Sequence, residues 1–193
     1  MSEHDHDHDD ELDVDEEAER DAEREARKRL ALAQIRQYGD TVLRMQANEV
    51  EAFDDELARV AERMLGLMHD AEGVGLAATQ VGILRRVFVF SDGEEDHVLV
   101  NPVVARDEKE TETEEEGCLS LGPVRVPVER AVRVTIEAQD AAGAPVRLEL
   151  EGLPARVVQH ELDHLDGVLI IDRTDPESRR EALALLRPRI VLT

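Results

Sequence analysis

Two histidines and a glutamate near the C-terminal end of the chain have the types and the spacing of a metal site. His160, Glu161 and His164 form the pattern H-E-x-x-H. Because residues four apart on a helix share one face, both imidazoles can bind a single metal ion. Glu161 can reach a water on that ion and act as its base, and such a water ionises near neutral pH. The pattern predicts a hydrolytic metal site, and the alternative is a chance pair of surface histidines beside a glutamate.

The single cysteine of the chain is a candidate for the third protein ligand that an open catalytic metal site needs. Cys118 lies in the sequence EGCLS, residues 116–120, directly after an acidic run. A thiolate is a strong ligand for Zn²⁺ or Fe²⁺. A lone buried cysteine is more often an inert small hydrophobic residue, so the residue types alone leave both interpretations open.

A segment rich in small residues, GVGLAATQ over residues 73–80, is the third candidate for chemistry. Its two glycines allow the backbone to approach a ligand closely. Gln80 at its end offers an amide donor to a developing oxyanion. The segment lacks the G-x-G-x-x-G spacing of a dinucleotide site and follows a helical pattern rather than a strand. In isolation it predicts a loop of small residues.

Apolar spacing predicts the helices that would carry and support these residues. A helix that ends before Gly73 is indicated by apolar residues three and four apart: Phe53, Leu57, Val60, Ala61, Met64, Leu65 and Met68. A second helix is predicted over Leu153–Asp166, since Pro154 suits a first helical turn and Gly167 suits a C-terminal cap. A short third helix is predicted after Pro176.

Alternating apolar residues predict strands between these helices. We expect strands at Arg86–Phe90 and at Val98–Val100, the latter stopped by Asn101-Pro102, and a hairpin that pairs residues 132–137 with 146–150. Hairpins together with separate helices predict an α+β fold rather than a parallel doubly wound sheet. The expected architecture is antiparallel sheets around a central metal-binding helix, with an N-terminal helix and a short C-terminal helix.

Composition excludes several classes of protein. The chain has 193 residues, a formal net charge of −23 and 2% aromatic residues. So negative a chain disfavours DNA and anionic membranes as partners, and so few aromatics disfavour a base-stacking platform. No apolar run approaches the length of a transmembrane helix, and the N-terminus does not resemble a signal peptide. We therefore expect a cytoplasmic protein without a membrane or DNA partner.

The N-terminal residues differ in composition from the rest of the chain. Residues 1–25 contain 14 acidic residues and two arginines. We expect Met1–Asp15 to be disordered, because so polar a stretch cannot bury enough apolar surface. Glu16–Ala33 is expected to form a solvated helix, with an unfolded segment as the alternative. The predicted organisation is an acidic extension over residues 1–30, disordered or partly helical and separable from the chemistry, and a catalytic domain over residues 31–193.

The three candidate segments together, in this order and at this separation, resemble the signature motifs of the peptide deformylase family: GVGLAATQ, EGCLS and QHELDH. The resemblance covers roughly residues 31–193 and includes IRQYGD at residues 35–40. It implies an enzyme that removes the N-formyl group from the initiator methionine of nascent bacterial or organellar proteins and releases formate. The implied cofactor is one divalent metal ion, typically Fe²⁺, with Zn²⁺, Ni²⁺ or Co²⁺ also able to occupy the site.

The resemblance also implies roles for individual residues. Cys118, His160 and His164 would be the metal ligands, with Glu161 as the base. Gln80 and the backbone N–H of Leu119 would hold the formyl oxygen. The backbone of Val74 and Gly75 would pair with the substrate peptide, and Val157 would line the methionine pocket. Arg125 would lie at the mouth of the site. Glu116 and Arg130 would form an ion pair that steadies the cysteine loop.

Alternatives remain open at this point. One is a zinc-type endopeptidase, against which Cys118 argues, and another is a metal-storage protein that uses the acidic histidine tract at residues 4–10. Formyl-methionyl nascent chains are the expected partners. A transient contact with ribosomal RNA is also expected from four C-terminal arginines, Arg179, Arg180, Arg187 and Arg189. The alternative is that these arginines only form a solvated helix face.

Overall fold

The helices and strands of the chain are seen in a computed structural model that describes residues 7–107 and 109–187. The α-helices are α1 (Asp7–Leu32), α2 (Asp55–Asp70), α3 (Leu153–Leu165), α4 (Ile170–Arg173) and α5 (Pro176–Leu186). The strands are β1 (Gly75–Ala77), β2 (Val87–Ser91), β3 (Asp96–Asp107), β4 (Thr111–Gly117), β5 (Arg125–Ala131), β6 (Arg133–Gln139) and β7 (Pro145–Glu151). Short 3₁₀ helices cover Thr41–Arg44 and Ala78–Val81.

Antiparallel pairing organises the strands into two sheets. The larger sheet has the order β1-β2-β3-β6-β7, and β4 pairs with β5 in a separate two-stranded sheet. The predicted hairpin corresponds to β6 and β7, which pair from Arg133 opposite Glu151 to Gln139 opposite Pro145. The α+β fold class is confirmed. No helix in the described part of the chain is long and apolar enough to cross a bilayer.

The two longest predicted helices of the catalytic domain cover opposite faces of the larger sheet. Successive side chains of a strand point to opposite faces, and β2 uses this alternation. Val87 and Val89 belong to the core cluster formed with α2, whereas Phe88 and Phe90 belong to the cluster formed with α3. The predicted helix Leu153–Asp166 corresponds to α3, which has Pro154 in its first turn. The predicted metal-binding helix is therefore buried against the sheet.

The expected strand break at Asn101-Pro102 is wrong, because β3 continues through it to Asp107. Asn101 has a positive φ of 50°, and the register of β3 against β6 shifts between Val100 and Val103. Asn101 Oδ1 accepts from the backbone N–H of Val50 at 2.8 Å, and Asn101 Nδ2 donates to the backbone carbonyl of Val50 at 2.9 Å. The Asn-Pro step thus makes a bulge, which bends a strand without ending it.

Strands β4 and β5 have no counterpart among the predicted elements. Residues 111–115 of β4 are all exposed and mostly acidic, so the sequence shows no alternation of apolar and polar residues there. Strand β4 is stabilised instead by its pairing with β5, in which Val126 and Val128 are buried. This sheet ends at Gly117 and so delivers Cys118 to the interior.

Helix α1 begins at Asp7, within the stretch that was expected to be disordered, and runs to Leu32. It therefore crosses the expected boundary at residue 30. Ala31 is buried and Leu32 is partly buried in the core cluster that includes α2. Residues 1–6 and 188–193 lie outside the described residues.

Candidate functional site

Three predicted metal ligands converge at the buried face of α3. Cys118 follows β4, and His160 and His164 lie one turn apart on α3. One ligand atom from each of the three lies within 4.8 Å of the others. Cys118 Sγ is 3.2 Å from His164 Nε2. A thiolate and two imidazoles are a donor set that fits Fe²⁺, Zn²⁺, Ni²⁺ or Co²⁺, and three protein ligands leave a position open for substrate or water.

A buried ion pair orients one of these imidazoles. His160 Nδ1 lies 3.1 Å from Glu116 Oε2, which leaves Nε2 of the ring to face Cys118. Arg130 donates to both oxygens of Glu116, at 2.9 Å and 3.0 Å. Burial opposes the charge of Glu116, but bonds from His160 and Arg130 outweigh it and lower the pKa of Glu116 to about 2. The structure thus brings together the expected pair Glu116–Arg130, which fixes the direction of a ligand through hydrogen bonds.

Glu161 lies beside the three ligands with one oxygen free. Its side chain is 3% exposed, and Oε2 has no hydrogen-bond partner. Burial is the main cause that raises the pKa of Glu161 to about 7. A Cβ atom at Gly75 would lie 2.4 Å from Glu161 Oε1. Only glycine at position 75 therefore leaves room for this carboxylate, which has the pKa and the position that a general base requires.

Gln80 is held on the other side of the thiol. Its Oε1 accepts from the backbone N–H of Ala77 at 2.8 Å, which fixes the orientation of the amide. Its Nε2 then donates to Ser120 Oγ at 3.1 Å and points toward Cys118 Sγ at 3.7 Å. An amide donor is therefore positioned next to the candidate metal centre, as oxyanion stabilisation requires.

A cavity of about 690 Å³ opens from this centre to solvent. All the predicted substrate-contact residues line it: Val74, Gly75, Val157, Arg125 and Leu119. Strand β1 is at the edge of the larger sheet, so its outer edge is available for pairing with an extended peptide. The cavity is thus bounded by a strand edge on one side and by the cysteine loop on the other.

Two charged residues of the site were missed by the sequence analysis. Arg156 donates to Glu116 Oε1 at 2.8 Å and to the backbone oxygens of Val128 and Glu112. Asp163 accepts from Arg130 at 2.6 Å. Only helical spacing could have indicated them in the sequence. Arg156 precedes His160 by four residues and Asp163 follows it by three, so all three lie on one face of the helix.

These features define a class of protein. A helix with H-E-x-x-H, a third ligand from a separate loop, a buried free carboxylate and an open cavity are the parts of a metal-dependent hydrolase.

Comparison with known proteins makes the assignment specific. The family model described as polypeptide deformylase matches residues 32–180. Peptide deformylase of Thermotoga neapolitana is 48% identical over 158 residues, which cover 82% of this chain and 94% of that protein. Peptide deformylase 1 of Corynebacterium efficiens is 45% identical over 162 residues, 82% of this chain and 96% of that protein.

Solved structures agree with this result. The peptide deformylase of Thermus thermophilus has a TM-score of 0.75 at 45% identity and covers 79% of this chain and 94% of that chain. That of Thermotoga maritima has a TM-score of 0.72 at 48% identity and covers 74% of this chain and 97% of that chain. The chain belongs to the peptide deformylase family. It is an enzyme that removes the N-formyl group from the initiator methionine of nascent proteins and releases formate, and the resemblance seen in the sequence is confirmed.

Proposed function

We propose that Cys118, His160 and His164 hold one divalent metal ion and that Glu161, Gln80 and Leu119 act on the formyl group beside it. The observation that carries this proposal is the convergence of three ligand atoms within 4.8 Å next to the buried Glu161. A bound divalent ion polarises the formyl carbonyl and acidifies water. Membership of the deformylase family supports Fe²⁺ as the native metal, and the thiolate with two imidazoles would also accept Zn²⁺, Ni²⁺ or Co²⁺.

Glu161 moves the proton in this mechanism. Its free Oε2 accepts a proton from the attacking water, and the same oxygen then delivers the proton to the amine nitrogen that leaves. Burial raises the pKa of Glu161 above its ordinary value, which makes the carboxylate a stronger base for taking up the proton. The C–N bond of the formamide breaks, and formate and a free N-terminal amine are the products.

Gln80 and the backbone of Leu119 stabilise the charge that develops on the formyl oxygen. The bond from Ala77 N–H holds the amide of Gln80 so that its NH₂ group faces the cysteine loop. Donors fixed before the reaction need no reorganisation as the oxygen becomes negative. Removal of one such donor costs about 10²–10³-fold in rate in other hydrolases.

The substrate peptide binds along the edge of β1 as an added strand. Val74 and Gly75 offer the backbone groups for pairing, and the methionine side chain occupies the space near Val157. Val157 Cγ1 and Glu161 Oε1 are the atoms that a Cβ at Gly75 would meet, at 2.9 Å and 2.4 Å. Gly75, Val157 and Glu161 are therefore packed closely together, and we expect the site to admit a formyl hydrogen and to exclude an acetyl methyl.

The decisive experiment is formate release from matched peptides by iron-loaded protein kept free of oxygen. Formyl-Met-Ala-Ser should be hydrolysed, and acetyl-Met-Ala-Ser should be refused. Comparable cleavage of both peptides, or cleavage of internal bonds in casein, would contradict the proposed site. Reloading the same protein with Zn²⁺, Ni²⁺ and Fe²⁺ identifies the most active metal.

We also propose that the enzyme works in the cytoplasm, at the ribosome, where formylated nascent chains are exposed. Arg180 and Arg187 are exposed, Arg179 lies 3.4 Å from Asp172, and Arg189 lies outside the described residues. Salt-sensitive co-sedimentation with ribosomes should be weakened by the pair of changes Arg180→Glu and Arg187→Glu. Arg59→Glu on α2 together with Arg147→Glu on β7 makes the same change in net charge at exposed positions and is the matched control. Equal co-sedimentation of the wild-type protein, the C-terminal variant and the control variant excludes the contact.

A further inference from the structure

Helix α1 forms one wall of the active-site cavity at the point where the match to the family model begins. Lys28 and Leu32 of α1 line the same cavity as Cys118, His160 and Glu161. The family match begins at residue 32. Lys28 is thus a cavity residue supplied by the N-terminal extension of this chain.

Lys28 forms an ion pair with Glu72 at this wall. Lys28 Nζ bonds Glu72 Oε2, and Arg24 Nε lies 3.6 Å from Glu72 Oε1. Glu72 itself lines the cavity and is held by its backbone, which has a positive φ of 56° and donates to the carbonyl of His69 at 2.9 Å. The pair is partly exposed, with 33% of the Lys28 side chain and 44% of the Glu72 side chain accessible. Helix α1 therefore neutralises a carboxylate that would otherwise be a bare negative charge in the cavity.

The position of this pair along the substrate path follows from the chain itself. Glu72 precedes Gly75 by three residues, and the Glu161 carboxylate lies directly against Gly75. Residues 72–74 form a turn and a bend that lead into β1, so Glu72 lies just beyond the end of the strand edge where the peptide would pair. A peptide that pairs antiparallel to β1, with its formyl group beside Gly75, runs toward Glu72 and Lys28, so the side chain of a residue after the methionine comes near this pair.

We propose that Lys28 is a specificity-determining residue, which neutralises Glu72 so that nascent chains with an acidic third residue are accepted as readily as those with a basic one. This inference rests on the proposed strand-like binding of the substrate at β1. The two residues act on the side chain of the peptide and not on its formyl group. Their effect is therefore confined to the choice among substrates, and metal binding and the chemical step are unchanged.

The test compares three peptides, formyl-Met-Ala-Glu-Ala amide and its variants with Gln or Lys at position three. Wild-type protein should hydrolyse all three with similar kcat/KM. Lys28→Gln leaves Glu72 only the more exposed Arg24, 3.6 Å away, and should lower kcat/KM for the Glu peptide and raise it for the Lys peptide. The ratio between them should shift by about fivefold, the scale of exposed ion pairs acting on two peptides in opposite directions. The change should lie in KM, with kcat on the Gln peptide and metal content unaltered.

Two further variants decide whether the pair is responsible. Glu72→Gln introduced together with Lys28→Gln should return the ratio to the wild-type value, because no unpaired carboxylate remains. Arg29→Gln makes the same change in net charge on the same helix, but Arg29 is exposed and does not belong to the residues that line the cavity. It should leave the ratio unchanged. The shift should also shrink as ionic strength rises from about 0.05 M to about 0.5 M, since salt screens exposed charges.

An unchanged ratio in Lys28→Gln overturns the proposal, and so does an equal shift in Arg29→Gln. Failure of wild-type protein to release formate from the Gln peptide is a different result, since it contradicts the proposed site itself. The two failures are therefore distinguishable in one set of assays.

Discussion

The inner and outer ends of the active-site cavity are both built on an ion pair, but the pairs differ in burial. At the inner end, the side chains of Glu116 and Arg130 are each 5% exposed, and Glu116 orients His160. At the outer end, Lys28 and Glu72 are 33% and 44% exposed. Water screens the outer pair, whereas loss of Arg130 removes two buried charge-assisted hydrogen bonds from Glu116. The inner pair therefore fixes geometry and the outer pair adjusts preference.

The largest effect is expected from the base at the inner end. Glu161→Ala should lower kcat by at least about 10²-fold, the usual scale of general acid–base catalysis, because no other carboxylate replaces its free oxygen. The three ligands are untouched, so the metal should be retained at about one ion per chain. Formate release and elemental analysis measure the two quantities. The matched change Cys118→Ala should lose metal affinity as well as rate, and retention of both would contradict the thiolate assignment.

Removal of one buried partner tests the comparison most directly. Arg130→Gln removes the cation shared by Glu116 and Asp163, which keep Arg156 and Arg173 respectively, and should reduce the free energy of unfolding by about 1–3 kcal/mol. Metal affinity should fall by about 10–100-fold, because His160 loses its fixed orientation. Urea denaturation and metal titration measure these changes.

An exposed pair provides the control for Arg130→Gln. Arg147 and Glu137 pair across β6 and β7 with side chains 56% and 53% exposed. Arg147→Gln should cost less than about 1 kcal/mol of unfolding free energy and no metal affinity. If the two arginine variants lose equal stability, burial is not what distinguishes the inner pair.

A methyl group at the strand edge should disturb the base without removing it. A Cβ at Gly75 meets Glu161 Oε1 at 2.4 Å and Val157 Cγ1 at 2.9 Å, so Gly75→Ala must displace the carboxylate. Displacement of a reacting group by an ångström lowers rates by about 10²-fold. Gly66→Ala in α2 is the control, since no heavy atom lies within 4 Å of its added Cβ. It should keep full activity and raise the unfolding free energy by about 0.5–1 kcal/mol. Full activity in Gly75→Ala would contradict the assigned position of the base.

The smallest effect is expected from truncation of the extension. A chain that starts at Asp21 keeps Lys28, whereas one that starts at Ala31 lacks it but keeps the packing of Ala31 and Leu32. Both should hold the metal and hydrolyse neutral peptides within about twofold of the full chain, because residues 18–30 are mostly exposed. Only the shorter chain should change its ratio between acidic and basic peptides. Loss of metal in either chain would show that the catalytic domain does not begin at residue 31.

Local patterns of sequence were sufficient for α3 and for the β6–β7 hairpin. Pro154 and Gly167 mark the helix ends, and the apolar alternation of the hairpin has the period of a strand. They were insufficient for β4, whose acidic residues show no apolar face. Strand β4 is stabilised by contacts with its partner β5, which is partly buried. The ion pair between Glu116 and Arg130 joins residues 14 positions apart in the chain, and a local sequence pattern cannot indicate it.

The sequence by itself determined the chemistry that is available. A pair of histidines at helical spacing, a glutamate between them and one cysteine are sufficient to indicate a metal site, because ligand type and spacing follow from covalent order and helix geometry. Tertiary structure decided how these groups are held. The roles of Arg156 and Asp163 as buried partners, and of Lys28 as a wall of the cavity, depend on distances between segments far apart in the chain. Charges acquire their strength from burial, and burial is a property of the folded molecule rather than of any segment.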